Sequence, residues 1–147
     1  MNQKTLAITS IIASFIGLID SVYLTVLKVT ENKQMCVQGA GDCWSVNTSP
    51  YSEVFGIPVA LLGAIAYIVL IAIFFMENRA ALLQQYGPYL IFGITLTGTL
   101  FSAYLTYVEI AVIRAVCLFC VVSALIMLVL FVIAILRLIG LQAENNP

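Results

Sequence analysis

The sequence predicts an all-α integral membrane protein: a four-transmembrane-helix bundle with a short interfacial helix in its first loop. Three observations lead there. Apolar residues make up 63% of the 147 positions and charged residues only 9%, which lies outside the usual composition of soluble globular chains. A spanning helix needs roughly 20 consecutive, mostly apolar residues, and four stretches qualify, at 6–28, 57–76, 88–113 and 117–139. The long polar stretch is confined to one loop, 29–56. A single membrane domain over 1–147 follows. The net charge of −1 offers no basic surface for nucleic acid. The chain has no His, so the commonest general base and metal ligand is missing.

The first span follows Lys4 and resembles a signal peptide. It is too long for one, and no small-x-small cleavage site closes it, so a retained helix is expected. It carries Asp20, a costly residue in lipid that points either to proton or quinone chemistry or to a structural hydrogen bond. In the loop, Ser49-Pro50 reads as an N-cap followed by Pro at the first helical position, and Gly56 as a stop. A two-turn surface helix is expected between them, with Tyr51 and Phe55 on one face. Pro58 opens the second span in the same way, and Leu62-Gly63 with Ala66 gives it a small-residue packing face. The third span is expected to start at Pro88. It is joined to the fourth by the short link 114–116.

The chain also repeats itself. Ser21-Val-Tyr23-Leu24-Thr25 matches Ser102-Ala-Tyr104-Leu105-Thr106. The same offset pairs Gly17 with Gly98 and Cys36 with Cys117. The first hairpin thus resembles the second, and Asp20 has no counterpart.

All four cysteines fall at span ends or in the loop. Cys36 and Cys43 flank a glycine-containing segment, with Gly39 and Gly41 making it pliable. Cys117-Leu-Phe-Cys120 opens the last span, so its cysteines share one helix face at the positive end of the helix dipole, where a thiolate is favoured. Cys117 is expected at the water boundary and Cys120 about one turn deeper. A pair with one side to water and one to lipid suits electron passage from a protein thiol to a lipid-soluble carrier. Two other readings stand beside this disulfide relay. A zinc site would prefer a shorter spacing in the first pair, and inert staples suit small domains that lack a core. With four spans, both cysteine loops lie on one side. Lys4, Arg79 and Arg137 balance Lys28, Lys33 and Arg114, so charge does not orient the chain. Redox chemistry does, by placing cycling disulfides on the oxidising side.

The loop pair, Ser49 six residues after Cys43, Phe55-Gly56, and Cys117-x-x-Cys120 opening the fourth span resemble the vitamin K epoxide reductase family in its prokaryotic form. The likeness covers essentially the whole chain. A second quinone-linked disulfide oxidase family carries its Cys-x-x-Cys in the first loop, the reverse of the order here. The resemblance implies catalytic Cys36, Cys43, Cys117 and Cys120, no metal, and a quinone (menaquinone or ubiquinone) as electron acceptor. A separate thioredoxin-like protein would supply electrons, since no such domain is fused before Pro147. Cys36 would meet that partner, Cys43 would pass electrons to Cys117, and Cys120 would face the quinone. Ser49 would hydrogen-bond a quinone oxygen and Phe55 would cover the site, with Tyr51, Leu62 and Tyr104 as further contacts. Vertebrate members set an Asn and a Tyr against the quinone where Val59 and Ala124 stand here. That favours a plain quinone over an epoxide, leaving epoxide reduction in the endoplasmic reticulum and a metal-binding or scaffold protein as alternatives. A prokaryotic cytoplasmic membrane, with the cysteines facing the periplasm or the outside, is the expected setting.

Overall fold

The computed structural model describes residues 2–36, 39 and 41–145. Four helices are long and apolar enough to cross a membrane: α1 (Gln3–Thr30), α3 (Val59–Met76), α4 (Ala81–Val108) and α5 (Leu118–Asn145). A short helix, α2 (Cys43–Asn47), lies in the loop after α1. It is followed by a two-stranded hairpin of β1 (Glu53–Val54) and β2 (Ile57–Pro58). The architecture is the expected all-α four-helix membrane bundle.

α1 packs against α3 and α5, and α4 packs mainly on α5. Two glycines, Gly17 buried and Gly98 half-buried, allow the close approaches. A Cβ on Gly17 would strike the Tyr67 ring, and one on Gly98 would strike Met127. These are the two glycines that the repeat pairs, and each seats the neighbouring helix of its own hairpin. The likeness continues in the backbone. Thr25 Oγ1 donates to the Ser21 carbonyl at 2.7 Å, and Thr106 Oγ1 donates to the Ser102 carbonyl at 2.9 Å. Both first helices of the hairpins end on a left-handed residue, Glu31 (φ 50°) and Arg114 (φ 55°).

The main core gathers Tyr67, Leu70, Phe74, Ile91, Met127 and Leu130 from α3, α4 and α5. One end of the bundle is closed by Arg137, which pairs with Glu77 at 2.6 Å and lies over the Phe74 ring. The other end holds all four cysteines.

Several expected boundaries move. α4 begins at Ala81, so Pro88 sits inside the helix. It is buried there, and the apolar packing around it holds the helical path despite the lost N–H. The helix expected between Ser49 and Gly56 is only a single tight turn, Pro50–Ser52. Phe55 (φ 53°) and Gly56 (φ 79°) then both turn left-handed, as the two central residues of a tight hairpin do. The helix of this loop forms earlier, where Asp42 caps it by accepting from Ser45 N–H (3.2 Å) and Ser45 Oγ (2.7 Å). At its far end α4 widens into a π-helical turn, Glu109–Ile113, a feature that recurs at functional sites.

Candidate active site

The first loop is tied down over the start of α5. Lys28, at the end of α1, donates to the Asn47 carbonyl (2.8 Å) and Ser52 Oγ (2.7 Å) and pairs with Glu53 (3.1 Å). Asn47 in turn donates to the Leu24 carbonyl at 3.1 Å. Gly41 pairs with Cys117 as an antiparallel bridge, and the next amide, Asp42 N–H, donates to the Val116 carbonyl at 3.0 Å. Gly41 has φ +82°, and a Cβ there would collide with the Val116 carbonyl. Its role in this arrangement is close approach, not the pliability expected of it. Gly39 (φ +96°) has open space around it. Val37, Gln38 and Ala40 lie outside the described residues.

This docking sets the sulfur of Cys43, the first residue of α2, 2.9 Å from that of Cys117. Both side chains are buried, Cys43 at 2% exposure and Cys117 at 0%. Cys36 and Cys120 are partly exposed and pack against the same cluster, with Leu24 and Val46. Cys117 is therefore not at the water boundary. The loop covers it, and it precedes α5 as the cap-like residue. Its sulfur accepts hydrogen bonds from the Cys120 side chain and the Cys120 N–H. Its own N–H donates to Glu109 Oε2 at 3.2 Å. Tyr23, from the repeat, packs its ring 4.9 Å from that of Phe119.

The four thiols differ electrostatically. Hydrogen bonding from Cys120, aided by Cys43, pulls the Cys117 thiol down to about 7 against its burial. Burial pushes the Cys43 thiol up to about 12, and its hydrogen bond to Cys117 adds to the rise. Cys36 is raised by burial and by the nearby Cys117. Cys117 is thus the more acidic thiol of the central pair.

A cavity of about 800 Å³ opens beside Cys120, between the loop and helices α3, α4 and α5. Its wall is mostly apolar, and along α4 it runs from Tyr89 to Val108, roughly 28 Å at 1.5 Å per helical residue. Ser49, Tyr51, Leu62 and Cys120 lie on this wall, as do Val59 and Glu109.

The sequence of this bundle matches the vitamin K epoxide reductase family over residues 8–135. The chain belongs to that family. It is also 34% identical, over 123 residues and 80% of its own length, to an Arabidopsis thaliana protein named thiol-disulfide oxidoreductase LTO1. It spans about a third of that relative's length.

Within this family member, the structure brings the four cysteines and Ser49, Tyr51 and Leu62 to one end of the bundle. It does not bring Phe55 or Tyr104 to the cavity wall. Phe55 is fully exposed at the hairpin tip, and Tyr104 is exposed on α4. Asp20 is buried on α1 and is not on the cavity wall, and its Oδ2 has no hydrogen-bond partner among the described residues. Ser49 Oγ already donates to the Val46 carbonyl at 2.8 Å, so donating to a ligand would mean giving that bond up. Sequence reasoning passed over Glu109. It is 3% exposed and touches the Cys-x-x-Cys through the Cys117 amide. A carboxylate near the end of a predicted span, eight positions before the first cysteine of the pair, was the available signal. It reads equally well as an ordinary interfacial charge.

Proposed function

We propose that the protein is a quinone-linked thiol-disulfide oxidoreductase. It passes electrons from a thioredoxin-like partner through Cys36–Cys43 and Cys117–Cys120, and so supports disulfide formation. The observation that carries this reading is the graded access of the four sulfurs. The two ends of the series, Cys36 and Cys120, are reachable, and the two middle members, Cys43 and Cys117, are buried and 2.9 Å apart. An inert staple has no need of such an order.

Each exchange conserves electrons. A partner dithiol reduces the Cys36–Cys43 bond and leaves as a disulfide. Cys43 attacks Cys117, the Cys117–Cys120 bond breaks, and the electron pair leaves on Cys120. Cys36 then attacks Cys43, reforming the loop disulfide and expelling Cys117. A low thiol pKa makes a better leaving group, and Cys117 has the depressed value of the pair. Cys117 and Cys120 end as thiols.

The cavity fits a quinone with an apolar tail. It is concave and largely apolar, of a size typical for such ligands, and Cys120 is on its wall. Bound there, a quinone supplies an acceptor for two electrons and two protons. Tyr51 and Leu62 would flank it and Ser49 would reach it by releasing Val46. Val59, which offers no side-chain hydrogen bond, supports a plain quinone over an epoxide. The cysteine end would face the oxidising side of the membrane, in a prokaryotic cytoplasmic membrane.

The test is to mix purified protein with a reduced thioredoxin-like partner and a soluble quinone and to follow quinol formation. Turnover should require both Cys117 and Cys120. Near-normal turnover in Cys117→Ala or Cys120→Ala would overturn the proposal.

A further inference from the structure

We propose that Glu109 is the proton carrier of the Cys117–Cys120 centre. This rests on the relay proposed above. An acid inside a membrane span is costly and needs a reason. Glu109 sits at the first residue of the π-helical turn and is 3% exposed. The ion pairs among the described residues are Lys28–Glu53 and Arg137–Glu77, and neither involves Glu109. Its contacts are instead with the redox pair. Oε2 accepts the Cys117 N–H at 3.2 Å, and the carboxyl is hydrogen-bonded to the Cys120 thiol. Glu109 also lines the cavity that Cys120 faces, and of the described residues on that wall it is the acidic one. One carboxyl thus touches a reacting sulfur and borders the cavity.

The chemistry calls for such a group at two moments. When Cys43 attacks Cys117, the Cys117–Cys120 bond breaks and Cys120 takes the electron pair. The Glu109 carboxyl gives its proton to that sulfur and becomes a carboxylate. When the dithiol is later oxidised, the Cys120 electron pair goes to the quinone and the sulfur–sulfur bond reforms. The Glu109 carboxylate then takes back the Cys120 proton and is again the carboxyl that the next transfer needs. Cys117 is fully buried and the cavity beside Cys120 is mostly apolar, so a resident carboxyl takes the place of solvent as the proton donor.

Glu109→Gln separates this role from a structural one, because Gln can still accept the Cys117 N–H. The readout needs no quinone. Protein with Cys36–Cys43 reduced and Cys117–Cys120 oxidised is allowed to equilibrate, then quenched with a thiol label, and transfer between the pairs is resolved on non-reducing gels. General acid–base catalysis contributes about 10²–10⁴-fold, so transfer in Glu109→Gln should fall by at least about 10². Glu109→Asp should recover part of the loss. Wild-type transfer should also be slower in D₂O, a measurement that does not depend on any variant folding. Transfer in Glu109→Gln within about twofold of wild type, below the range for acid–base catalysis, would overturn the proposal. So would equal losses in Gln and Asp, or a wild-type rate unchanged in D₂O. Failure of the wild type to reduce quinone would instead sink the wider function, and the exchange experiment would remain readable.

Discussion

At Cys117 two effects oppose each other. Burial disfavours its thiolate, and hydrogen bonds from Cys120 and Cys43 favour it, with the balance falling at about 7. A thiol is an acid, so a lowered pKa means thiolate above that pH and thiol below it. In fully reduced protein the ultraviolet absorbance of thiolate should rise with a midpoint near 7 and should be lost in Cys117→Ser. Cys120→Ala removes the strongest favouring hydrogen bond, so the midpoint should move up. A midpoint unmoved by Cys120→Ala would assign the stabilisation elsewhere. The same variant lacks the thiol that closes the Cys117 disulfide. Under oxidising conditions it should therefore accumulate a Cys43–Cys117 bond, seen by thiol labelling on non-reducing gels. Accumulation of Cys36–Cys117 instead would contradict the 2.9 Å approach of Cys43.

The first loop works as an element because its backbone is docked onto the residues before α5. The Gly41–Cys117 bridge and the Asp42–Val116 bond hold α2, and with it Cys43, against the Cys117–Cys120 pair. A non-glycine residue in the left-handed region costs about 1–2 kcal/mol, and at Gly41 a Cβ also meets the Val116 carbonyl. Gly41→Ala should therefore reduce trapping of Cys43 by Cys117 in the Cys120→Ala background. Gly39→Ala carries the backbone strain without the collision and should reduce it less. Equal effects would mean that the bridge does not position Cys43.

Across the whole molecule, the two ends of the bundle have different tasks. The end away from the cysteines is closed by the largely buried Arg137–Glu77 pair. Removing one partner of a buried ion pair typically costs about 3–5 kcal/mol, because the other charge is left unpaired. Glu77→Ala should lower the melting temperature well beyond Glu31→Ala, whose side chain is exposed. A melting temperature equal to wild type would show that Arg137 finds another partner. The cysteine end presents Cys36, which is partly exposed, and hides Cys43. A membrane-impermeant thiol reagent should label reduced Cys36 from outside intact cells and leave Cys43 largely unlabelled until the protein is unfolded. Labelling of Cys36 only after the membrane is opened would invert the proposed orientation.

The sequence by itself determined the class of the fold and singled out the four cysteines that the bundle gathers at one end. Apolar runs of spanning length have few other stable solutions, and a Cys-x-x-Cys at a helix start is a local pattern. The repeat was equally legible, because Gly17 and Gly98 serve the same packing need in each hairpin. What tertiary structure decided was everything that depends on residues distant in the chain. Gly41 reads locally as a flexible joint, and only the Val116 carbonyl opposite makes it a docking point. Phe55 reads as a helical aromatic, and the left-handed pair Phe55-Gly56 turns it outward at a hairpin tip. Cys117 reads as a residue at the water boundary, and the loop laid over it buries it. Glu109 reads locally as an ordinary interfacial charge near the end of a span. Its significance comes from the π-helical turn and the short link 114–116, which bring its carboxyl against an amide and a sulfur eight and eleven residues further along the chain.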